Sequence, residues 1–94
     1  MSMGTHDQPL TPVGYEQHVS FSGTAVPLKI KDSTYLLLQA TGAAVYWRDD
    51  GVAPTATVGM QLPASIDFWY TGDPKAIKAI GINDSSVLNV SGYK

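Results

Sequence analysis

The side chains that could perform covalent chemistry are few in this sequence. It contains no cysteine and two histidines, and one of these, His6, lies in a segment that we interpret as a tail. Nucleophilic catalysis needs a nucleophile within reach of a base, and His18 is the one plausible base in the part expected to be ordered. No Gly-x-Ser-x-Gly sequence occurs. A small hydrolase using His18 and an aspartate stays open as an alternative, but we expect no enzyme and assign no catalytic residues.

The acidic residues and glycines also lack the spacing of a recognisable site. A glycosidase needs two carboxylates that flank a cleft, yet four of the five candidate aspartates lie in turn sequences, where Asp has a local reason to be. Asp49-Asp50-Gly51 has neither the alternating acidic residues nor the closing glutamate of a calcium loop. The nine glycines are scattered singly and form no phosphate loop. We therefore expect no cofactor and no metal. The aspartates considered are Asp49, Asp50, Asp67, Asp73 and Asp84.

Aromatic side chains are the more informative group. Residues 43–71 hold both tryptophans and the only arginine. Strand alternation puts Trp69 on the same face as Asp67, so Trp69 packs under a loop, pairs with Arg48 or Tyr46, or is presented to another molecule. Arg48 over the indole would form a cation–π pair worth about 0.5–1 kcal/mol. The candidate interface residues are Tyr46, Arg48, Thr55, Thr57 and Trp69.

Two predicted strands, residues 43–48 and 65–71, must position these side chains, and residues 49–59 join them as a polar loop. The loop contains the turn sequence Asp50-Gly51 and then Pro54, which cannot donate a hydrogen bond within a central strand. Residues of this loop could extend an edge strand or lie across a neighbouring subunit. The faces predicted to be buried hold Ala43, Val45 and Trp47 in the first strand and Ile66, Phe68 and Tyr70 in the second.

The remaining strands follow from alternation and turn residues. Three successive leucines in residues 33–41 predict a core strand covered on both sides, with Leu36, Leu38 and Ala40 on one face. Residues 75–82 fit either a short helix or a strand, and we predict a tight turn near residues 73–76 followed by a strand. Further strands are predicted in residues 14–21, whose register the pattern leaves open, in residues 25–30, where Pro27 suits a sheet edge, and in residues 87–93, with Leu88 and Val90 inward.

The whole pattern predicts an all-β fold. Seven or eight short strands, spaced by roughly 8–12 residues with turns between them, are typical of a small β-sandwich, jelly-roll-like, or of a barrel, with antiparallel strands. Residues 13–94 form a single domain in this prediction. Residues 1–12 have the composition of a flexible or extended N-terminal arm, which could also become ordered against a neighbouring subunit.

Length and charge limit the partners. A chain of 94 residues buries roughly 64% of its unfolded surface, so the core is thin and association with copies of itself, as a trimer or another symmetric oligomer, would add stability. A net charge of −2 with six Lys plus Arg argues against a dedicated nucleic-acid surface. No apolar run is long enough to span a membrane, and no secretion signal is recognisable. We expect synthesis in the cytoplasm without secretion.

Several motifs in the second half of the sequence resemble those of small virion proteins of tailed bacteriophages. In that family a strand ending in an Asp-Gly turn precedes a Pro-Thr-Ala-(Thr/Ser)-Val-Gly loop, an aromatic strand, an Ala-Ile-(Lys/Arg)-x-Ile strand and a terminal Leu-Asn-Val-Ser-Tyr-Tyr. This chain ends Ser91-Gly92-Tyr93-Lys94 instead. The match covers about half the chain and is carried by residues 47–50, 54–59, 68–72, 76–80 and 88–91.

The resemblance implies a non-enzymatic component located in the virion. A capsid decoration or cementing protein, bound to the major capsid protein or another virion protein through loops and the N-terminal arm, is the leading hypothesis. The motifs are equally compatible with a tail or head–tail component. From the residues alone, a carbohydrate- or host-surface-binding module is a further alternative, because aromatic side chains can stack on sugars. The platform considered for that module is Tyr46, Trp47, Trp69 and Tyr70.

Overall fold

The computed structural model describes residues 9–94, and within them the backbone forms eight strands and one short 3-10 turn. The paired strands are antiparallel and form two four-stranded sheets. The predicted all-β sandwich is confirmed. The strands are β1 (Pro12–Val19), β2 (Val26–Pro27), β3 (Tyr35–Thr41), β4 (Val45–Arg48), β5 (Met60–Leu62), β6 (Asp67–Tyr70), β7 (Lys78–Gly81) and β8 (Val87–Tyr93), and the turn is Pro74–Ala76.

The strand order is that of a jelly roll. The first sheet has the order β1-β8-β3-β6 and the second has the order β2-β7-β4-β5. Strands one and eight, two and seven, three and six, and four and five pair with each other. The chain therefore behaves as one long antiparallel ribbon that is wrapped into two sheets, which is the double Greek-key arrangement of jelly rolls.

Alternation along the strands places the core between the two sheets. Leu36, Leu38 and Ala40 of β3 are almost fully buried, as are Leu88 and Val90 of β8. Other strands add their inward side chains to the same core. Burial of apolar surface stabilises the fold by about 25 cal/mol per Å². The predicted inward faces of these two strands are correct.

The outer face of β3 differs from the prediction. Tyr35, Leu37 and Gln39 are half-buried, and among residues 9–94 no further strand lies over this face of the sheet. They lose part of their exposure to side chains of the neighbouring strands, since Leu37 lies opposite Ser91 of β8 and Trp69 of β6. The three leucines therefore belong to two faces of β3. Leu36 and Leu38 are buried in the core, and Leu37 lies on the outer face, where side chains of β6 and β8 partly shield it.

The edge strands also depart from simple alternation. Tyr70 of β6 is buried as predicted, but Phe68 is 38% exposed and Ile66, just before the strand, is 50% exposed. Phe68 lies on the inward face against Trp47, but β6 is the edge strand of its sheet and no further described strand lies beside it. Strand β5 was not predicted as a separate element, because three residues between Gly59 and Pro63 carry too little pattern.

The segment after β6 follows the prediction for residues 73–76. The Asp73 carboxylate accepts a hydrogen bond from the Lys75 amide at 3.0 Å, and Pro74 begins the 3-10 turn. A strand, β7, follows immediately. The cap and the proline together explain why this ambiguous stretch turns once and then extends.

The two ends of the described chain lie side by side. Thr11 and Lys94 exchange two backbone hydrogen bonds of 3.0 and 2.9 Å, and Pro12 lies opposite Tyr93 in the register. Most of the predicted arm, residues 1–8, lies outside the described residues.

Candidate functional site

Polar side chains from all four strands of the first sheet form a continuous row on its outer face. The register places Gln17 of β1, Asn89 of β8, Gln39 of β3 and Asp67 of β6 in one line. Gln17 Nε2 donates to Asn89 Oδ1 at 2.9 Å, and Asn89 Nδ2 donates to Gln39 Oε1 at 3.3 Å. Gln39 Nε2 donates to Asp67 Oδ1 at 3.1 Å. The Tyr15 hydroxyl also donates to Asn89 Oδ1, at 2.7 Å.

Asp67 gives this row of hydrogen bonds a single direction. An ionised carboxylate can only accept, so Gln39 must turn its amide nitrogen toward Asp67 and its oxygen toward Asn89. Asn89 then presents its nitrogen to Gln39 and its oxygen to Gln17. Each amide orientation is therefore fixed by the charged end of the row rather than being free to invert.

Apolar side chains lie beside the polar row on the same face. Tyr15, Leu37 and Trp69 share the next register line with Ser91, and Tyr15 and Trp69 are 64% and 42% exposed. The Trp69 ring packs against Tyr93 with a centroid distance of 5.7 Å. A shallow depression of about 150 Å³ lies between the two rows. We call this surface the amide face; it consists of Tyr15, Gln17, Leu37, Gln39, Asp67, Trp69, Asn89 and Tyr93.

The candidate interface residues do not lie together. Trp69 belongs to the amide face, whereas Tyr46 and Arg48 lie on the outer side of β4 in the second sheet. Arg48 donates to both carboxylate oxygens of Asp50, at 3.0 and 2.5 Å. The cation–π pair with Trp69 that the sequence allowed is therefore not formed. The Arg48 hydrogen bonds lower the pKa of Asp50 below its usual value.

The loop of residues 49–59 is held by its own side chains and by β6. The buried Tyr70 hydroxyl donates to Asp49 Oδ2 at 2.9 Å, and burial first, then this hydrogen bond, raises the pKa of Tyr70 to about 12. Thr55 Oγ1 accepts hydrogen bonds from the backbone amides of Thr57 and Val58. The Thr55 hydroxyl therefore stabilises the loop itself, and both Thr55 and Thr57 are exposed.

His18 lies next to a carboxylate, although not to the aspartate that the sequence suggested. His18 Nε2 is 2.5 Å from Glu16 Oε2, two residues away on the same strand face. The Glu16 carboxylate also accepts hydrogen bonds from the backbone amides of Lys29 and Ile30 at 2.7–3.0 Å. Among the described residues no hydroxyl is hydrogen-bonded to the His18 ring. The Glu16 carboxylate therefore connects β1 to the segment that follows β2.

The aromatic platform considered from the sequence is divided by the fold. Trp47 and Tyr70 are core residues with 9% and 6% exposure, and Tyr46 lies on the opposite sheet from Trp69. Alternation along the sequence does not show the contribution of β1, β3 and β8 to the surface around Trp69. An aromatic or apolar residue two positions from an amide, as in Tyr15-x-Gln17 and Leu37-x-Gln39, was the available pattern, but the strand order was needed to join them.

A second exposed surface lies between β5 and β6, where the sandwich is not closed. Met60 lies opposite Trp47 in the register, and Phe68 stacks on Trp47 with a centroid distance of 5.6 Å. Met60, Ile66 and Phe68 are 60%, 50% and 38% exposed. We call these three side chains the open edge. Phe68 and Met60 are the two that lie beside the core indole of Trp47, and all three side chains remain in contact with solvent.

Comparison with protein-family models, curated proteins and solved structures gives no match. Within residues 9–94 no three His, Asp or Glu side chains gather as metal ligands would. The described part of the chain also has no helix of the length and apolar character needed to cross a membrane.

Proposed function

We propose that this chain is a non-enzymatic structural protein of a tailed-bacteriophage particle and that it acts there as a capsid decoration protein. The open edge is the structural observation that carries the proposal. Three large apolar side chains are exposed on or beside the edge strands β5 and β6, and exposed apolar surface of this kind marks a protein contact when it is contiguous. The motif resemblance in residues 47–91 supports the phage assignment, and jelly rolls occur in viral capsid domains, although a fold alone does not define a function.

The open edge and the adjoining loop would form the contact with the particle. Val58 of the loop and Met60 of β5 are both more than half exposed and are separated in the chain by Gly59 alone. Edge strands offer unpaired backbone groups as well as side chains, so β5 and β6 can bind a partner by both. Symmetric copies of the chain, for example a trimer, would bury further surface and add to a thin core.

Add-back to particles tests the proposal. Phage particles that lack the protein are mixed with the purified chain and sedimented, and we expect the parent chain to sediment with them. The double variant Met60→Ser, Phe68→Ser should bind about tenfold more weakly or worse, because an apolar contact is lost. Val19→Ser, which changes an equally exposed valine on β1, is the matched control and should bind normally.

The role of the predicted arm is tested in the same assay with a chain that begins at Pro9. This variant retains the Thr11–Lys94 pair and all described strands, so it should fold, and reduced particle binding would assign a contact to residues 1–8. Absence of the parent chain from particles, with no sedimentation on add-back, would refute the virion function. Labelling found only on the tail or neck would support the tail or head–tail alternative instead.

A further inference from the structure

We infer that the amide face of the first sheet is a binding site for a neutral glycan. The inference is independent of the phage proposal, because it rests on different residues on a different side of the sandwich. The ligand class follows from the combination of planar amides, one carboxylate and exposed aromatic rings on one face of the sheet.

The hydrogen-bonding groups of the polar row are only partly used within the protein. Each amide nitrogen of Gln17, Asn89 and Gln39 donates one hydrogen bond in the row, and a primary amide has two hydrogens to donate. Asp67 Oδ2 and Gln17 Oε1 remain as acceptors. Neighbouring sugar hydroxyls both donate and accept, so they can bind the free amide hydrogens along the row and the free acceptor oxygens at its two ends.

The fixed direction of the row makes these groups a prepared site. Because Asp67 sets the orientation of every amide, the donors do not have to be reoriented when a ligand arrives. Prepared groups lose less conformational freedom on binding, which increases affinity. Strands lie about 4.8 Å apart, a spacing close to the length of one pyranose ring, so successive amides can bind successive parts of an oligosaccharide.

The apolar row supplies the second half of sugar recognition. The C–H faces of pyranose rings stack on aromatic side chains, and Trp69 and Tyr15 are both exposed here. Packing against Tyr93 holds the Trp69 ring in place. The depression of about 150 Å³, lined by Tyr15, Leu37, Gln39 and Asn89 among others, has the size to receive one sugar ring.

The charge of the amide face selects between possible ligands. Asp67 is its only charged side chain, so an acidic polysaccharide or a nucleic acid would meet a negative charge without a compensating cation. A protein partner usually brings a dry apolar centre with a polar rim, whereas here a polar row crosses the middle of the surface. A neutral glycan fits both observations.

Glycan binding is tested with four immobilised neutral oligosaccharides, namely maltotetraose, cellotetraose, chitotetraose and mannotetraose. The parent chain should be retained by at least one of them and give a measurable Kd in solution. Trp69→Ala should weaken that binding by about tenfold or more, as expected for loss of a stacked ring. Asp67→Asn, which keeps the shape but removes the group that orients the amides, should also weaken it by several-fold.

Controls separate a lost site from a lost fold. Tyr46→Ala removes an aromatic side chain from the outer side of the other sheet and should leave glycan binding unchanged. Circular dichroism should show that all three variants fold. Retention by none of the four glycans, equal affinity of the Trp69 and Asp67 variants and the parent, or binding of acidic glycans alone would each overturn the inference. Since Met60→Ser, Phe68→Ser leaves the amide face intact, it should bind glycan normally, whatever its effect on particles.

Discussion

Tyr70 and Asp49 form the contact that joins the long loop to β6. The Tyr70 side chain is buried, and its hydroxyl also lies 3.3 Å from the Asp73 carbonyl oxygen. A hydrogen bond of this kind contributes about 0.5–1.5 kcal/mol, and more when the acceptor is charged. The single residue therefore anchors both the beginning of the loop and the turn after β6.

We expect the free energy of unfolding to depend on Tyr70 at alkaline pH. The pKa of its hydroxyl is about 12 in the folded chain, above the usual 10.0, so the folded state holds the proton more tightly than the unfolded state. The associated stability is fully present below pH 10 and is lost as the pH rises through 12. Urea unfolding of the parent across this range should show the loss.

Tyr70→Phe should be about 1 kcal/mol less stable at neutral pH, and its own curve should lack this alkaline step. The difference in free energy of unfolding between parent and variant should therefore decrease as the pH rises. Tyr46→Phe, at a half-buried position on the outer side of β4, serves as the control and should keep the step. A parent and a Tyr70→Phe variant that lose stability in parallel would contradict the assignment.

Residue-level inference from the sequence succeeded where alternation alone decides the outcome. The shared face of Trp69 and Asp67 is correct, since both are exposed on the outer side of β6. The sequence suggested an aspartate as the partner of His18, whereas the structure shows Glu16. Glu16 lies two residues away, and strand alternation places it on the same face as His18. Tyr93, the neighbour of Trp69 in space, could not be found without the strand order.

Gly42 controls the connection between β3 and β4. Its φ is +78°, a conformation that side chains other than glycine rarely adopt, and an added Cβ would overlap the backbone oxygen of Ser85. The connection therefore depends on the missing side chain at this position. It is the element-level feature whose loss should damage the fold most directly.

Gly42→Ala should lower the free energy of unfolding by about 2 kcal/mol or more, because backbone strain and a clash with backbone add together. Gly23→Ala is the matched control, since no atom lies within 4 Å of its added Cβ and its φ is not positive. The control should change stability by less than about 0.5 kcal/mol. Thermal unfolding of both variants provides the measurement, and equal stabilities would contradict the role of Gly42.

Elements were predictable in proportion to their length and alternation. β3 and β8 each have seven residues with a regular buried pattern, and both were located from the sequence. β5 has three residues, too few for a period to be visible, whereas the two residues of β2 lie within the strand predicted at residues 25–30 and at a sheet edge, as Pro27 suggested. The exposure of Phe68, on the inward face of β6, could not be predicted either. Whether a strand lies at the edge of a sheet depends on the whole sheet and not on the sequence of that strand.

The closeness of the two ends predicts the behaviour of a rearranged whole chain. A circular permutant that links residue 94 to residue 9 through a short Gly/Ser linker and opens between Val52 and Ala53 should fold, since both new ends are exposed. It should retain the circular dichroism spectrum of the parent. A permutant opened between Leu38 and Gln39, inside β3, should not fold. A first permutant that fails to fold would contradict the described pairing of Thr11 with Lys94.

At the level of the whole molecule, the sequence indicated the sandwich but not which strands are neighbours. Turn spacing and alternation predict the number of strands, whereas the strand order β1-β8-β3-β6 depends on packing between residues far apart in the chain. The amide face is a product of that order, because its polar row takes one residue from each of the four strands. A site of this kind becomes visible only when the sheet is assembled.

The central position of β8 also determines when the protein can fold during its synthesis. Val87–Tyr93 lies between β1 and β3 and pairs with both, yet it is synthesised after the other seven described strands. Until then β1 has no partner in its sheet, and the inward leucines of β3 lack the neighbours that shield them. The first sheet therefore cannot be completed until residue 93 has left the ribosome, and the apolar side chains that β8 covers are prone to aggregation during that interval.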